Sequence, residues 1–400
     1  MEENSLFTRR NLSIDMLRGL TMLLMVFVND LWTVDGVPHW LEHFERFEDG
    51  MGLADIVFPM FLFAMGMSIP YAIECRFRKG YSGESTFAHI LSRALALLLM
   101  GVFIVNSEGE FCSTLGYGVS LYRILMVVAF FLIWNSYPKT FRWKWLLQTG
   151  GLAVLAFLAF TFRTPEGGYF GAQWWGILGI IGWTYCFAAV TYMLVRKNPA
   201  RVILVWVALC VINLLMTGMH GGVQLMPRHT IISDMTDALN LGNGSFAVMA
   251  VGGMLVSLAE NRMTSRARGG KGLVVAAFGA AAVLGVAATV LHHWWPISKL
   301  GGTLPWCLYV SSISVALYAV LRSLESYGMT GWFKPLRASG TATLTVYMMP
   351  YVLYSVFSMV GWQAPDWLCG PLGLLKCFLF SLICVALTTL LVRGGVKLKV

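Results

Sequence analysis

"LSIDMLRGLTMLLMVFVND" (Leu12–Asp30) and "LADIVFPMFLFAMGMSIP" (Leu53–Pro70) are long apolar runs joined by "LWTVDGVPHWLEHFERFEDGMG" (residues 31–52). A helix rises about 1.5 Å per residue and the hydrocarbon core of a bilayer is about 30 Å thick, so about 20 apolar residues suffice to cross it. The two runs therefore read as membrane helices. The loop between them collects His39, His43, Asp35, Glu42, Glu45, Glu48 and Asp49, with Asp55 just beyond it. That concentration of titratable groups is the feature of the chain that most needs a reason.

Composition extends the reading to the whole chain. Of 400 residues, 57% are hydrophobic and only 12% charged, against about 25% charged in soluble domains, and the mean hydropathy is +0.69. Windows apolar enough to span lie near 15–34, 52–73, 87–106, 119–135, 145–162, 174–195, 201–218, 243–260, 272–291, 303–321, 341–360 and 372–392. The window at 145–162 is short, and Gly176, Gly179 and Gly182 punctuate 174–195. The expectation is an all-α polytopic membrane protein of 11–12 transmembrane helices, with residues 1–400 forming one membrane domain.

The net charge of +9 does not point to nucleic acid, because the cations alternate from loop to loop. Arg9 and Arg10 share a side with Arg76–Lys79, Lys139–Lys144, Arg196–Arg201, Arg262–Lys271, Arg322–Arg337 and Arg393–Lys399. The opposite loops hold few cations, among them Arg46, Arg163, Arg228 and Lys299. By the positive-inside rule both termini are cytoplasmic and the acidic 31–52 loop faces outward. No small-residue cleavage site follows a short apolar stretch, so the first run reads as a retained helix rather than a signal peptide. The stretch from Met219 to Asn243, with His220, His229, Asp234 and Asp237, is a second outward loop. Eight cysteines carry no CxxC or His/Cys spacing for zinc, so no metal is expected. Cys112 and Cys369 alone fall in outward loops, where an oxidising compartment would allow a disulfide.

Several residues could carry chemistry, each with a plainer alternative. Asp15 and Arg18 stand three apart on one helix face, suited to an ion pair that anchors the helix at the interface. Asn29 and Asp30 close the first apolar run: either can terminate a helix, and an asparagine there can also orient a carbonyl or oxyanion. His43 is ringed by carboxylates, and imidazole titrates nearest neutrality, so it suits a base. A solvated loop histidine more often does nothing, and His39, four residues earlier, competes for the role. Asp55 at a helix start complements the helix dipole, and a carboxylate at that boundary can equally fix the tautomer of an imidazole.

The opening runs, with "WWGILGIIGWTY", "LYRILMVVAFF" and "WPISK" followed by "SSISVALYAV", resemble the heparan-α-glucosaminide N-acetyltransferase family and its bacterial relatives of uncharacterised domain type. The resemblance implies a membrane enzyme that takes acetyl from cytosolic acetyl-CoA and places it on the amino group of a glucosamine on the far side. It implies His43 as the catalytic histidine and Asn29 as the asparagine ending the first helix, with the "ADIVFP" around Asp55 as the family signature. Acetyl-CoA is then a co-substrate, an amino sugar or glycan the acceptor, lipid the surroundings, and the bacterial cytoplasmic membrane the location. Homodimer formation stays open. The polyanionic nucleotide directs attention to cytoplasmic-side cations, here Arg18, Arg76, Arg78 and Arg337. The chain departs from the family pattern in "HFERFEDG" after the histidine, which bears on the acceptor.

Two other classes compete. An O-acyltransferase of envelope polysaccharide would use the same boundary chemistry. A secondary transporter would bury ionisable residues at the midplane, and the apolar windows hold almost none.

Overall fold

The computed structural model describes residues 7, 11–138, 140–196, 198–226, 230–238, 241–265 and 270–400. Of the loop residues given above, by name or within a range, Arg9, Arg10, Lys139, Lys197, Arg228, His229, Arg266 and Arg268 lie outside the described residues. Helices follow one another as α1 (Leu12–Asp30), α2 (Leu53–Arg78), α3 (Gly83–Glu108), α4 (Val119–Trp134), α5 (Lys144–Thr161), α6 (Ile177–Val195) and α7 (Pro199–Met216). Then come α8 (Ile231–Ala238), α9 (Ser245–Ser265), α10 (Gly270–His292), α11 (Leu304–Ser326), α12 (Arg337–Thr341), α13 (Thr343–Val360) and α14 (Gly370–Arg393). Departing from an all-helical chain, β1 (Cys112–Ser113) pairs antiparallel with β2 (Phe162–Arg163), Cys112 opposite Arg163.

Each of the twelve apolar windows holds a helix, and among the described residues nine helices are long and apolar enough to cross a membrane. Val119–Trp134 and Ala200–Met216 are apolar but shorter. Helix α9 has the length, yet its apolar run is diluted by Gly252, Gly253 and Ser257 before it reaches Glu260, Asn261 and Arg262.

The chain forms two compact units of interleaved segments. The first comprises Met1–Thr21, Pro38–Ala94 and Trp183–Arg337. In it α2 packs on α9 and α11, α9 also on α7, and α10 along α11. Small residues let α2 and α9 meet backbone to backbone. A Cβ on Gly66 would stand 1.9 Å from the Ala250 carbonyl oxygen, and one on Gly253 2.0 Å from that of Phe63. Lipid offers helices no hydrophobic drive to associate, so such close small-residue contacts carry the packing. Ser257 adds an interhelical hydrogen bond, its hydroxyl donating to the Met67 carbonyl at 2.8 Å.

The second unit comprises Met22–Val37, Leu95–Gly182 and Ala338–Val400, with α4 against α5 and α13, and α13 against α14. Asp30, which the sequence left as a helix terminator, is fully buried here. Lys376 donates to its Oδ2 at 2.9 Å and the Tyr354 hydroxyl donates to its Oδ1. All eight cysteines, Cys112 and Cys369 included, are free.

Candidate active site

The 42–52 loop of the first unit is folded around one carboxylate. Asp55 lies in the first turn of α2 and is 1% exposed. Its Oδ2 accepts from the backbone N–H of Phe44 at 3.0 Å and of Gly52 at 3.1 Å. Only glycine fits at 52: a Cβ there would stand 2.0 Å from the Glu42 carbonyl oxygen. Four residues on, Pro59 has no N–H to offer the Asp55 carbonyl. The indole Nε1–H of Trp306 supplies the missing donor at 3.2 Å. Asp55 is thus held from both sides, side chain by the loop and main chain by α11.

His43 completes the arrangement, its Nδ1 standing 2.7 Å from Asp55 Oδ1. Lys299 Nζ lies 3.1 Å from the same ring nitrogen, 3.6 Å from Asp55 Oδ1 and 3.4 Å from the Ala54 carbonyl oxygen. The carboxylate can only accept, so a proton on Nδ1 satisfies it, whereas a lone pair there would face that oxygen without a hydrogen between them. Nδ1 therefore carries the hydrogen, and Lys299 pairs with the carboxylate and the carbonyl rather than with the ring. Nε2 is left as the basic nitrogen. Among the described residues it has no hydrogen-bond partner, and the side chain is 55% exposed. Burial pushes the Lys299 ammonium below its ordinary pKa, against the opposing charge and hydrogen bond of Asp55.

His39 is engaged differently. Its Nε2–H donates to Glu48 Oε1 at 2.6 Å and its ring stacks on Phe44 at 4.3 Å. The hydrogen bond to Glu48 lifts its pKa, and the charges of Glu48 and Glu42 add to that lift. The two histidines that spacing could not separate thus have separate partners, one on a partly exposed glutamate and one on a buried aspartate.

The remaining candidates fall elsewhere. Asn29 belongs to the second unit, where it lines a cavity of about 360 Å³ with Trp32, Glu108, Arg123, Tyr351 and Tyr354. The Tyr351 hydroxyl donates to Glu108 there at 2.8 Å. Arg18 is half-buried on α1. Arg76 stacks on Tyr81 at 4.3 Å and donates to the Ser85 carbonyl at 3.2 Å, and Arg78 donates to the Phe7 carbonyl. Arg337 is exposed at the start of α12. Along α2, Arg76 and Arg78 stand about 32–35 Å from Asp55 at 1.5 Å per residue. Lys299 was missed as a site residue. Its signal was faint: a cation in loops otherwise nearly without them.

These features define a helical protein with candidate membrane spans and a histidine–aspartate pair over the first turn of one of them. The family described as "Domain of unknown function (DUF5009)" matches residues 10–239, more than half the chain, and the chain belongs to that family. Heparan-alpha-glucosaminide N-acetyltransferase of Mus musculus is 37% identical over 93 residues, and that of Homo sapiens 36% identical over 95. These stretches cover 23% and 24% of this chain and 13% of each relative's length.

Proposed function

We propose that the protein is a transmembrane acetyltransferase that moves acetyl from cytosolic acetyl-CoA to the amino group of a glucosamine-type sugar or glycan on the opposite side. In this reading it is one membrane domain of 11–12 spans with both termini cytoplasmic, in a bacterial cytoplasmic membrane. The carrying observation is His43, its Nδ1 tied to a buried carboxylate and its Nε2 left basic. Such an imidazole takes the proton from an attacking amine, or itself accepts acetyl and passes it on. Asp55 fixes the tautomer and steadies the imidazolium once the proton has moved. Lys299 supplies a positive charge beside the pair, Asn29 serves as a carbonyl or oxyanion partner, and Arg18, Arg76, Arg78 and Arg337 receive the nucleotide. The names of relatives matched along just under a quarter of the chain support this reading.

The test is purified protein with radiolabelled acetyl-CoA and a panel of amino sugars, polysaccharides and hydroxyl-only sugars. Label on the nitrogen of glucosamine supports N-acetylation. Label confined to hydroxyls would make the protein an O-acyltransferase, and none on any acceptor would remove the proposal.

A further inference from the structure

A second group of titratable side chains in the first unit takes no part in this chemistry. Asp49, His220 and His292 each offer one ligand atom, all within 4.8 Å of one another. They come from three segments far apart in sequence: the 42–52 loop, the short 3₁₀ turn His220–Gly222, and the C-terminal end of α10. Neither carboxylate nor ring is loosely placed. Asp49 Oδ1 accepts from the Ile297 N–H at 2.8 Å, and Oδ2 meets His292 Nε2 at 2.8 Å. The His220 backbone N–H donates to the Trp294 carbonyl at 2.8 Å, and its Nε2 lies 2.9 Å from the His292 carbonyl oxygen. A carbonyl accepts only, so the neutral His220 ring keeps its hydrogen on Nε2 and presents its other nitrogen as a lone pair.

We propose that Asp49, His220 and His292 form a binding site for a divalent transition metal of the Zn²⁺ type. Two imidazoles and a carboxylate are the donor set such ions take, with a further position left for water. Tetrahedral bonds of about 2.1 Å place ligand atoms about 3.4 Å apart. Asp49 Oδ2 and His292 Nε2 stand at 2.8 Å and must part by about 0.6 Å to reach that spacing, while all three ligand atoms lie within 4.8 Å, so closing the set calls on small side-chain shifts. Binding displaces the proton shared between His292 and Asp49. The ion would join three segments of the chain at one point, independently of whether acetyl transfer occurs nearby. No two of the ligands sit at a recognisable metal spacing, so the site leaves no signature in the sequence.

The experiment uses the full chain in detergent, freed of any polyhistidine tag, titrated with Zn²⁺ against a chromophoric chelator. Thermal unfolding is followed with and without the ion. One equivalent per chain and a metal-dependent rise in unfolding temperature are expected. His220→Ala and Asp49→Asn should weaken binding at least ten-fold and abolish the rise, while His293→Ala, one residue from a ligand, should keep both. His220→Ala breaks the least of the surrounding structure and carries the test if Asp49→Asn does not fold. Absence of stoichiometric binding in the unaltered chain, or its persistence in His220→Ala, overturns the site.

Discussion

His43 and Asp55 face each other at 2.7 Å across a turn of twelve residues, the histidine half in solvent and the aspartate sealed from it. Replacing His43 by alanine should lower acetyl transfer by about 10²- to 10⁴-fold, the usual loss of a general base. His39→Ala, which breaks the exposed pair with Glu48 and the stack on Phe44, should leave turnover within a few-fold. Initial rates with acetyl-CoA and glucosamine make the comparison. The reverse order of losses would move the site to His39.

Asp55→Asn puts an amide where three hydrogens converge, those of Phe44, Gly52 and His43. One end of the amide is itself a donor, so the ring loses its reason to keep hydrogen on Nδ1. Turnover should fall by up to about 10⁴-fold, as for a mis-tautomerised catalytic imidazole. A loss in kcat with KM nearly unchanged distinguishes this from a damaged acceptor site.

Gly52→Ala drives a methyl group into the Glu42 carbonyl. The loop must open to admit it, carrying the Phe44 N–H and the His43 ring away from Asp55. Activity should drop while far-ultraviolet circular dichroism, dominated by the helices, stays as it was. Unaltered turnover would show that the loop tolerates another path.

Lys299 gives a stability signature with a definite sign. Its folded pKa lies below the ordinary 10.5, so between the two values the unfolded chain binds more protons and stability rises with pH. The unfolding temperature of the natural chain should therefore gain on that of Lys299→Met as pH climbs toward 10.5. A constant difference between the two would mean that Lys299 is not desolvated.

Lys376→Ala removes the ammonium that pairs with the buried Asp30 carboxylate and leaves the Tyr354 hydroxyl on its other oxygen. Removing one partner of a buried pair costs about 3–5 kcal/mol. Thermal or denaturant unfolding should show the loss, and Lys376→Ala with Asp30→Asn should recover part of it.

The helices were legible because hydrophobic length is a local property: each apolar window could be read without its neighbours. Their count as spans was less secure where glycines and a polar tail thin α9. The site was legible in part. His43 and Asp55 lie twelve residues apart, close enough for the family resemblance to cover both, yet spacing alone left His39 as an equal. What separates them is Gly52, whose missing side chain lets the loop double back onto Asp55. Lys299 lies 256 residues from His43 and Trp306 251 from Asp55. Only tertiary packing brings them together, and no periodicity records it. Pro59 was visible, but its meaning, a carbonyl left for a distant indole, was not.

The glycine contacts between α2 and α9 have a mechanical consequence. Where backbones touch at Gly66 and Gly253, no side chain stands between them to act as a bearing. A sliding step would force the Ala250 and Phe63 carbonyls past the tight spots that only a hydrogen fits. The two helices therefore behave as one rigid post, and Asp55 at its tip is a fixed reference point. Whatever shifts during a reaction cycle must come to that post: the 42–52 loop, Lys299 on its own loop, or the incoming ligands.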